Sequence, residues 1–182
     1  MKKNKAVFLD RDGTILKDRK YLSDPDDIEL YKGAVAALKK LKSRGWKLII
    51  GTNQSGIRRG YFTEEDLKKV HDRLLCMFRE QGLDIDEIIY CPHGPEDRCK
   101  CRKPHTGMIE KAAKKFGLNL RACVVVGDKS SDIHWGQRAG SRTVLVLTGV
   151  GKKTLSEPGV KSDYVARSLP YAAEWIIKNE RN

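Results

Sequence analysis

Two aspartates, Asp10 and Asp12, flank a single arginine in FLDRDGTI (residues 8–15), directly after an apolar run. Asp and Gly after such a run form an ordinary turn signal, and the pair gains meaning only if other residues join it. A third acid, Asp128, closes the run CVVVGD, and Thr52 and Asn53 close LIIGTN. Three carboxylates brought together make a hard oxygen site of the kind Mg2+ prefers, above all when a substrate phosphate completes the shell. The cation would cancel repulsion among the acids, draw in an anionic phosphoryl group and balance charge during reaction. Lys103 and Lys129 lie in adjoining loops and could bind phosphoryl oxygens as fixed positive charges, while Thr52 offers a hydroxyl. One carboxylate could then attack phosphorus while the other works as acid and then base. Two positions along an extended strand would put both side chains on one face.

A second constellation is Cys91-x-His93 followed by Cys99-x-Cys101. Three thiolates and an imidazole are the soft ligand set of tetrahedral Zn2+, and four ligands leave no open position, so the site is expected to be structural. Arg102 and Lys103 follow the last cysteine, so a zinc loop at 91–101 would position the phosphate-binding lysine. Cys76 and Cys123 read as core residues. His71, His105 and His134 have no evident partner and read as surface or packing residues, and Arg58 and Arg59 read either as substrate contacts or, at least as well, as exposed surface residues.

The elements that must bring these groups together are legible as alternating patterns. Ala6–Leu9, Leu48–Ile50, Ile88–Tyr90, Cys123–Val126 and Val144–Leu147 read as buried strands. Ala34, Val35, Leu38 and Leu41 share a helical face closed by Gly45, and Leu67, Val70, Leu74 and Phe78 share another, opened by a Thr63–Asp66 capping box. Ile109, Ala112, Ala113 and Phe116 form a third, ending at Gly117. A covering helix is expected over 168–178. The rhythm predicts an α/β fold: a three-layer, doubly wound, mostly parallel sheet whose strand carboxyl ends meet at one edge, where ligands bind. Two stretches, 11–32 and 91–107, are long enough to be functional loops. No long insertion follows either of the first two clusters, so no large cap domain is expected.

The 182 residues suit one domain, 1–182, able to bury a core without disulfides. No apolar run approaches the ~18 residues of a membrane span, and the basic start lacks the apolar length of a signal peptide. A soluble, cytoplasmic monomer with no membrane partner is expected. A net charge of +12, from 36 Lys and Arg against 24 Asp and Glu, favours anionic partners without choosing among them.

Taken in order, FLDRDGT, IIGTNQSG, CRKPHTGM and VVVGDKSSD resemble the four motifs of haloacid-dehalogenase-superfamily phosphatases. Asp10 to Thr14, Thr52 to Ile57, Cys91 to His93 and Cys101 to Pro104 are similar, more narrowly, to the D-glycero-D-manno-heptose 1,7-bisphosphate phosphatases and related histidinol-phosphatase domains. The resemblance implies Asp10 as the nucleophile forming an aspartyl-phosphate and Asp12 as the acid, then base. It implies Thr52 and Lys103 on the phosphoryl group, and Asp10, Asp12 (through its main-chain carbonyl) and Asp128 on Mg2+ with Lys129 beside them. Asp18, Arg19, Lys20 and Tyr21 would line the substrate pocket with Asn53, Gln54 and Ser55, and Arg102 would recognise the rest of the substrate. Asp132 is expected to start a helix or support the metal site from behind. The implied substrate is a small phosphorylated sugar losing its 7-phosphate, and nucleic acid is not expected as a partner. Histidinol phosphate, a polynucleotide 3'-phosphate and, outside enzymes, a zinc-containing nucleic-acid-binding module are the alternatives; the last leaves three separated aspartates without a purpose.

Overall fold

The computed structural model describes residues 4–180. Six strands, β1 (Ala6–Leu9), β2 (Lys47–Asn53), β3 (Glu87–Cys91), β4 (Val124–Gly127), β5 (Arg142–Val146) and β6 (Tyr164–Ala166), form one sheet in the order β3-β2-β1-β4-β5-β6. Every pairing is parallel. The helices are α1 (Ala34–Ser43), α2 (Glu64–Glu80), α3 (Gly107–Phe116), α4 (Ser130–Arg138), α5 (Gly151–Thr154) and α6 (Leu169–Lys178).

Strand alternation sorts the core into two layers. Val7 and Leu9 of β1 join Leu48, Ile50, Val124, Val126, Val144 and Val146 beneath α1, α2 and α6. Ala6 and Phe8 point the other way and join Ile49, Val125 and Trp135 beneath α3 and α4. Both faces of the sheet are therefore covered, which explains why β1 and β4 read as unbroken apolar runs.

The caps follow the sequence. Thr63 and Asp66 form the expected reciprocal box at the start of α2, with Thr63 N–H donating to Asp66 Oδ2 at 3.0 Å and Asp66 N–H to Thr63 Oγ1 at 3.1 Å. Gly117 ends α3 in the left-handed region. The sixth strand was not foreseen, because three residues flanked by polar neighbours carry too little periodicity. Cys76, expected in the core, is exposed: the inward face of α2 is Leu67, Val70, His71, Leu74 and Phe78, and position 76 lies off it. Cys123 is buried as expected.

Residues 10–33 connect β1 to α1 and residues 54–63 connect β2 to α2; among the described residues neither connection holds a cap domain. The strand order puts β1 between β2 and β4, so groups following these three strands meet at one edge.

Candidate active site

The chain leaves the sheet just after Asp10, whose N–H donates to Val126 O at 2.9 Å. Residues 11–16 then form a tight turn, with Ile15 and Leu16 N–H both donating to Arg11 O at 3.0 Å. This corrects the extended-strand expectation: a turn, not strand alternation, sets the two acids, and they face different groups. The Asp10 carboxylate, 3% exposed, meets Lys103 Nζ at 2.6 Å and Lys129 Nζ at 3.4 Å. The Asp12 carboxylate accepts from Gln54 Nε2 at 3.0 Å and Thr52 Oγ1 at 3.4 Å, while its main-chain carbonyl accepts from Lys129 Nζ at 2.8 Å.

Lys103 is buried at the centre. Its ammonium touches Asp10, Asp132 Oδ1 at 2.6 Å and the carbonyl of Gly51 at 2.7 Å, and lies 5.4 Å from the ring centroid of Trp135. Burial works against its charge, but Asp10 and Asp132 outweigh it and raise its pKa. Burial likewise pushes the Asp10 pKa up, yet Lys103 and Lys129 more than compensate and bring it to about 2. A buried carboxylate ionised at neutral pH, beside a fixed cation, has the charge state a nucleophile needs.

Asp10, Asp128 and Asp132 present carboxylate oxygens within 4.8 Å of one another. Burial, then the charge of Asp10, lifts Asp128 to about 7. Its Oδ2 accepts from Val150 N–H at 2.8 Å, and its buried Oδ1 accepts no hydrogen bond. Lys129 Nζ lies 3.5 Å from that Oδ1, so the oxygens of Asp10, Asp12 (main chain) and Asp128 all turn toward one cation. An all-oxygen set with two buried carboxylates, one oxygen of which accepts no hydrogen bond, fits Mg2+. Asp132 starts α4 as expected, its Oδ2 accepting from Lys129 N–H, and its Oδ1 pairs with Lys103.

Two glycines make room for this cluster. A Cβ on Gly13 would lie 2.2 Å from Asp128 Oδ2, and one on Gly149 would lie 2.1 Å from it; both residues have positive φ.

The cleft beside the acids is lined by Asp18, Arg19, Lys20, Tyr21, Asn53, Gln54, Ser55 and Lys129, as the sequence suggested, and also by Arg11 and Leu22. The amide of Asn53 is engaged twice by Lys103, donating to its carbonyl at 3.1 Å and accepting from its N–H at 3.0 Å. Tyr21, at φ 61°, contacts the ring of exposed Tyr61 at 4.5 Å. Arg102 lines a neighbouring groove and donates through Nη1 to His93 O at 3.0 Å.

In the second cluster the sulfurs of Cys91, Cys99 and Cys101 lie 3.1 to 3.5 Å apart, with His93 Nδ1 3.3 Å from Cys101 and 3.5 Å from Cys91. All three cysteines are free thiols. Four convergent soft ligands, one of them accepting from Arg102 N–H at 3.3 Å, fit a closed tetrahedral Zn2+ site. Two residues were missed by the sequence reading. Arg11 is buried between the aspartates, and His71, read as partnerless, lies 3.0 Å from its Nη1; the helical position of His71 on the inward stripe of α2 was the available signal.

A Pseudomonas putida D-glycero-beta-D-manno-heptose-1,7-bisphosphate 7-phosphatase is 40% identical over 174 residues, spanning 95% of this chain and 99% of that protein. The chain belongs to this phosphatase family. The D-glycero-alpha-D-manno-heptose-1,7-bisphosphate 7-phosphatase of Photorhabdus laumondii is 44% identical over 155 residues, 81% of this chain and 85% of its own. The family thus includes relatives named for either anomer. The family model for HAD-like (haloacid-dehalogenase-like) hydrolases matches residues 100–172. Among solved structures, the D,D-heptose 1,7-bisphosphate phosphatase of B. bronchiseptica, complexed with magnesium and phosphate, superposes with a TM-score of 0.90 at 35% identity, covering 96% of this chain and 98% of that one. Family members are phosphatases built on an open parallel sheet, and this chain is one of them.

Proposed function

We propose that the protein removes the 7-phosphate of D-glycero-D-manno-heptose 1,7-bisphosphate through an aspartyl-phosphate on Asp10. The observation that carries this reading is the buried, ionised Asp10 carboxylate held 2.6 Å from Lys103, with the Asp12 carboxyl beside it, in a chain similar along most of its length to phosphatases named for that sugar.

In the first step a carboxylate oxygen of Asp10 bonds to phosphorus as the phosphorus–oxygen bond to the sugar breaks. The electron pair stays on the sugar oxygen, which takes a proton from Asp12. In the second, Asp12 takes a proton from water, whose oxygen bonds to phosphorus and frees Asp10 and inorganic phosphate. Lys103 and the Thr52 hydroxyl steady the phosphoryl oxygens throughout; Lys103 also limits repulsion between Asp10 and the incoming anion. Asp10, the Asp12 carbonyl and Asp128 would hold Mg2+, which when bound supplies charge neutralisation at the phosphoryl group. Cys91, His93, Cys99 and Cys101 would hold a structural Zn2+ that orders the loop carrying Lys103 and Arg102.

Sugar selection falls to the short loops. Asp18, Arg19, Lys20 and Tyr21, with Asn53, Gln54 and Ser55, would face the heptose, and Arg102 the remainder of the substrate. The same reading makes residues 1–182 a single-domain monomer working in the cytoplasm. Phosphate release should be measured with Mg2+ on both anomers of heptose 1,7-bisphosphate, histidinol phosphate and a 3'-phosphorylated oligonucleotide. One heptose anomer is expected to lead by kcat/KM, and preference for either other substrate would overturn the assignment. Asp10→Asn should abolish turnover with the fold intact; a variant that still turns over would remove Asp10 as the nucleophile.

A further inference from the structure

Arg11 separates the two aspartates and is 1% exposed. Its Nε lies 3.1 Å from Asp12 Oδ1 and 3.0 Å from Oδ2, and its Nη2 lies 3.0 Å from Oδ2, so one edge of the guanidinium runs along the carboxylate. Its Nη1 meets Nε2 of His71, on α2, at 3.0 Å. Guanidinium nitrogens only donate, so Nε2 must accept and the imidazole proton sits on Nδ1. His71 is 8% exposed and packs edge-on against Tyr90, centroids 5.9 Å apart; Tyr90 in turn donates its hydroxyl to Glu64 at 3.1 Å. Burial, reinforced by the positive charge of Arg11, holds the imidazole neutral with its pKa lowered to about 3.

Hydrogen bonding at Asp12 is lopsided. Oδ2 accepts from Arg11 Nε and Nη2, from Gln54 at 3.0 Å and from Thr52 at 3.4 Å. Among the described residues Oδ1 has only Arg11 Nε, at 3.1 Å. A carboxyl proton has no room among the donors at Oδ2, so it belongs on Oδ1. Arg11, Gln54 and Thr52 make this asymmetry together, Arg11 is the one of the three that reaches both oxygens, and the group that holds Arg11 from behind is His71.

We propose that Arg11, anchored by His71, is a positioning residue that orients Asp12 so that Oδ1 carries the proton delivered to the leaving sugar oxygen. This rests on the phosphatase reading above and refines it. When the Asp10–phosphorus bond forms and the phosphorus–sugar oxygen bond breaks, the proton on Asp12 Oδ1 passes to that oxygen, which keeps the bonding electron pair. Loosening Arg11 lets the carboxyl rotate, and the loss falls on leaving groups that need a proton.

The test compares heptose 1,7-bisphosphate with an analogue in which sulfur replaces the bridging oxygen at C7, since a thiolate leaves without protonation. kcat/KM isolates the steps up to leaving-group departure. Arg11→Lys keeps the charge and loses the fork; His71→Leu removes the acceptor; His71→Gln keeps an acceptor near the position of Nε2. Arg11→Lys and His71→Leu should lower kcat/KM on the oxygen substrate about 10- to 100-fold with KM unmoved. On the sulfur analogue both should stay within about threefold of the wild type, and His71→Gln should track the wild type on both. Equal losses on the two substrates, no loss on either, or His71→Gln no better than His71→Leu would overturn the proposal. If Arg11→Lys fails to fold by circular dichroism, the two His71 variants decide the matter. A wild-type protein that releases phosphate from neither substrate would overturn the phosphatase reading itself, and this proposal with it.

Discussion

Replacing Asp128 and His71 one at a time should tilt the pH dependence of stability in opposite directions. Burial and the charge of Asp10 lift the Asp128 carboxyl from 3.8 to about 7. Between pH ~4 and ~7 the folded, metal-free chain therefore holds a proton there that the unfolded chain has lost, and stability falls as pH rises. At ~1.36 kcal/mol per pH unit the full fall is about 4 kcal/mol. His71 acts the other way, because burial and Arg11 lower it from 6.5 to about 3. The unfolded chain takes up a proton that the folded chain refuses, so this term raises stability as pH climbs from ~3 to ~6.5, by about 5 kcal/mol in all. From pH ~4 to ~6.5 the two contributions oppose each other at about 3 kcal/mol each, and the wild type should show a shallow profile. Asp132, also raised, tilts it downward, while Asp10, at about 2, is ionised in both states over that window and adds no slope. Urea unfolding in EDTA across this range should show Asp128→Asn gaining roughly 3 kcal/mol and His71→Gln losing roughly as much. Identical slopes in all three proteins would refute the reasoning. Added Mg2+ should stabilise the wild type more at pH 7 than at pH 5, since it competes with the proton on Asp128, and should do little for Asp128→Asn.

Lys103→Met should cost about 3–5 kcal/mol in urea unfolding, because Asp10 and Asp132 lose their shared buried cation, and should lower kcat at least ~100-fold. Metal analysis should find about one Zn2+ per chain; Cys101→Ser should lose it and lose activity, while a stable, active, metal-free chain would remove the zinc assignment. Gly149→Ala places a methyl 2.1 Å from Asp128 Oδ2 at a positive φ, and should weaken Mg2+ activation more than it lowers the urea midpoint; a normal Mg2+ titration would contradict the crowding argument.

The edge that carries the candidate site was legible because its residues follow apolar runs whose periodicity is unambiguous. Asp10, Thr52 and Asp128 each come within a residue or two of a buried strand end, and parallel topology does the rest. Side-chain direction was less legible. The acids of FLDRDGTI were placed on one face by strand geometry, yet the turn begins at Arg11 and rotates Asp12 toward Gln54 and Thr52. The partnership of Arg11 with His71 joins residues far apart in sequence, and nothing local announces it. Asn53 poses the same difficulty: its position in the cleft was foreseen, but its double bond to the backbone of Lys103 was not, because it depends on how the loop after β3 returns to β2.

That Asn53 clasp decides how traffic reaches the site. Lys103 is tied through its backbone to Asn53 and through its ammonium to Gly51, Asp10 and Asp132. Swinging it aside would break five contacts at once, so this wall cannot serve as a door. The opposite rim, where exposed residues 17–20 lead to the Tyr21–Tyr61 ring contact, is tied by the surface pairs of Lys17 and Arg19 with Glu29 and of Asp18 with Lys129, which water screens. Changes in the speed of product release should therefore map to Tyr61 and its neighbours, with the lysine side of the site standing still.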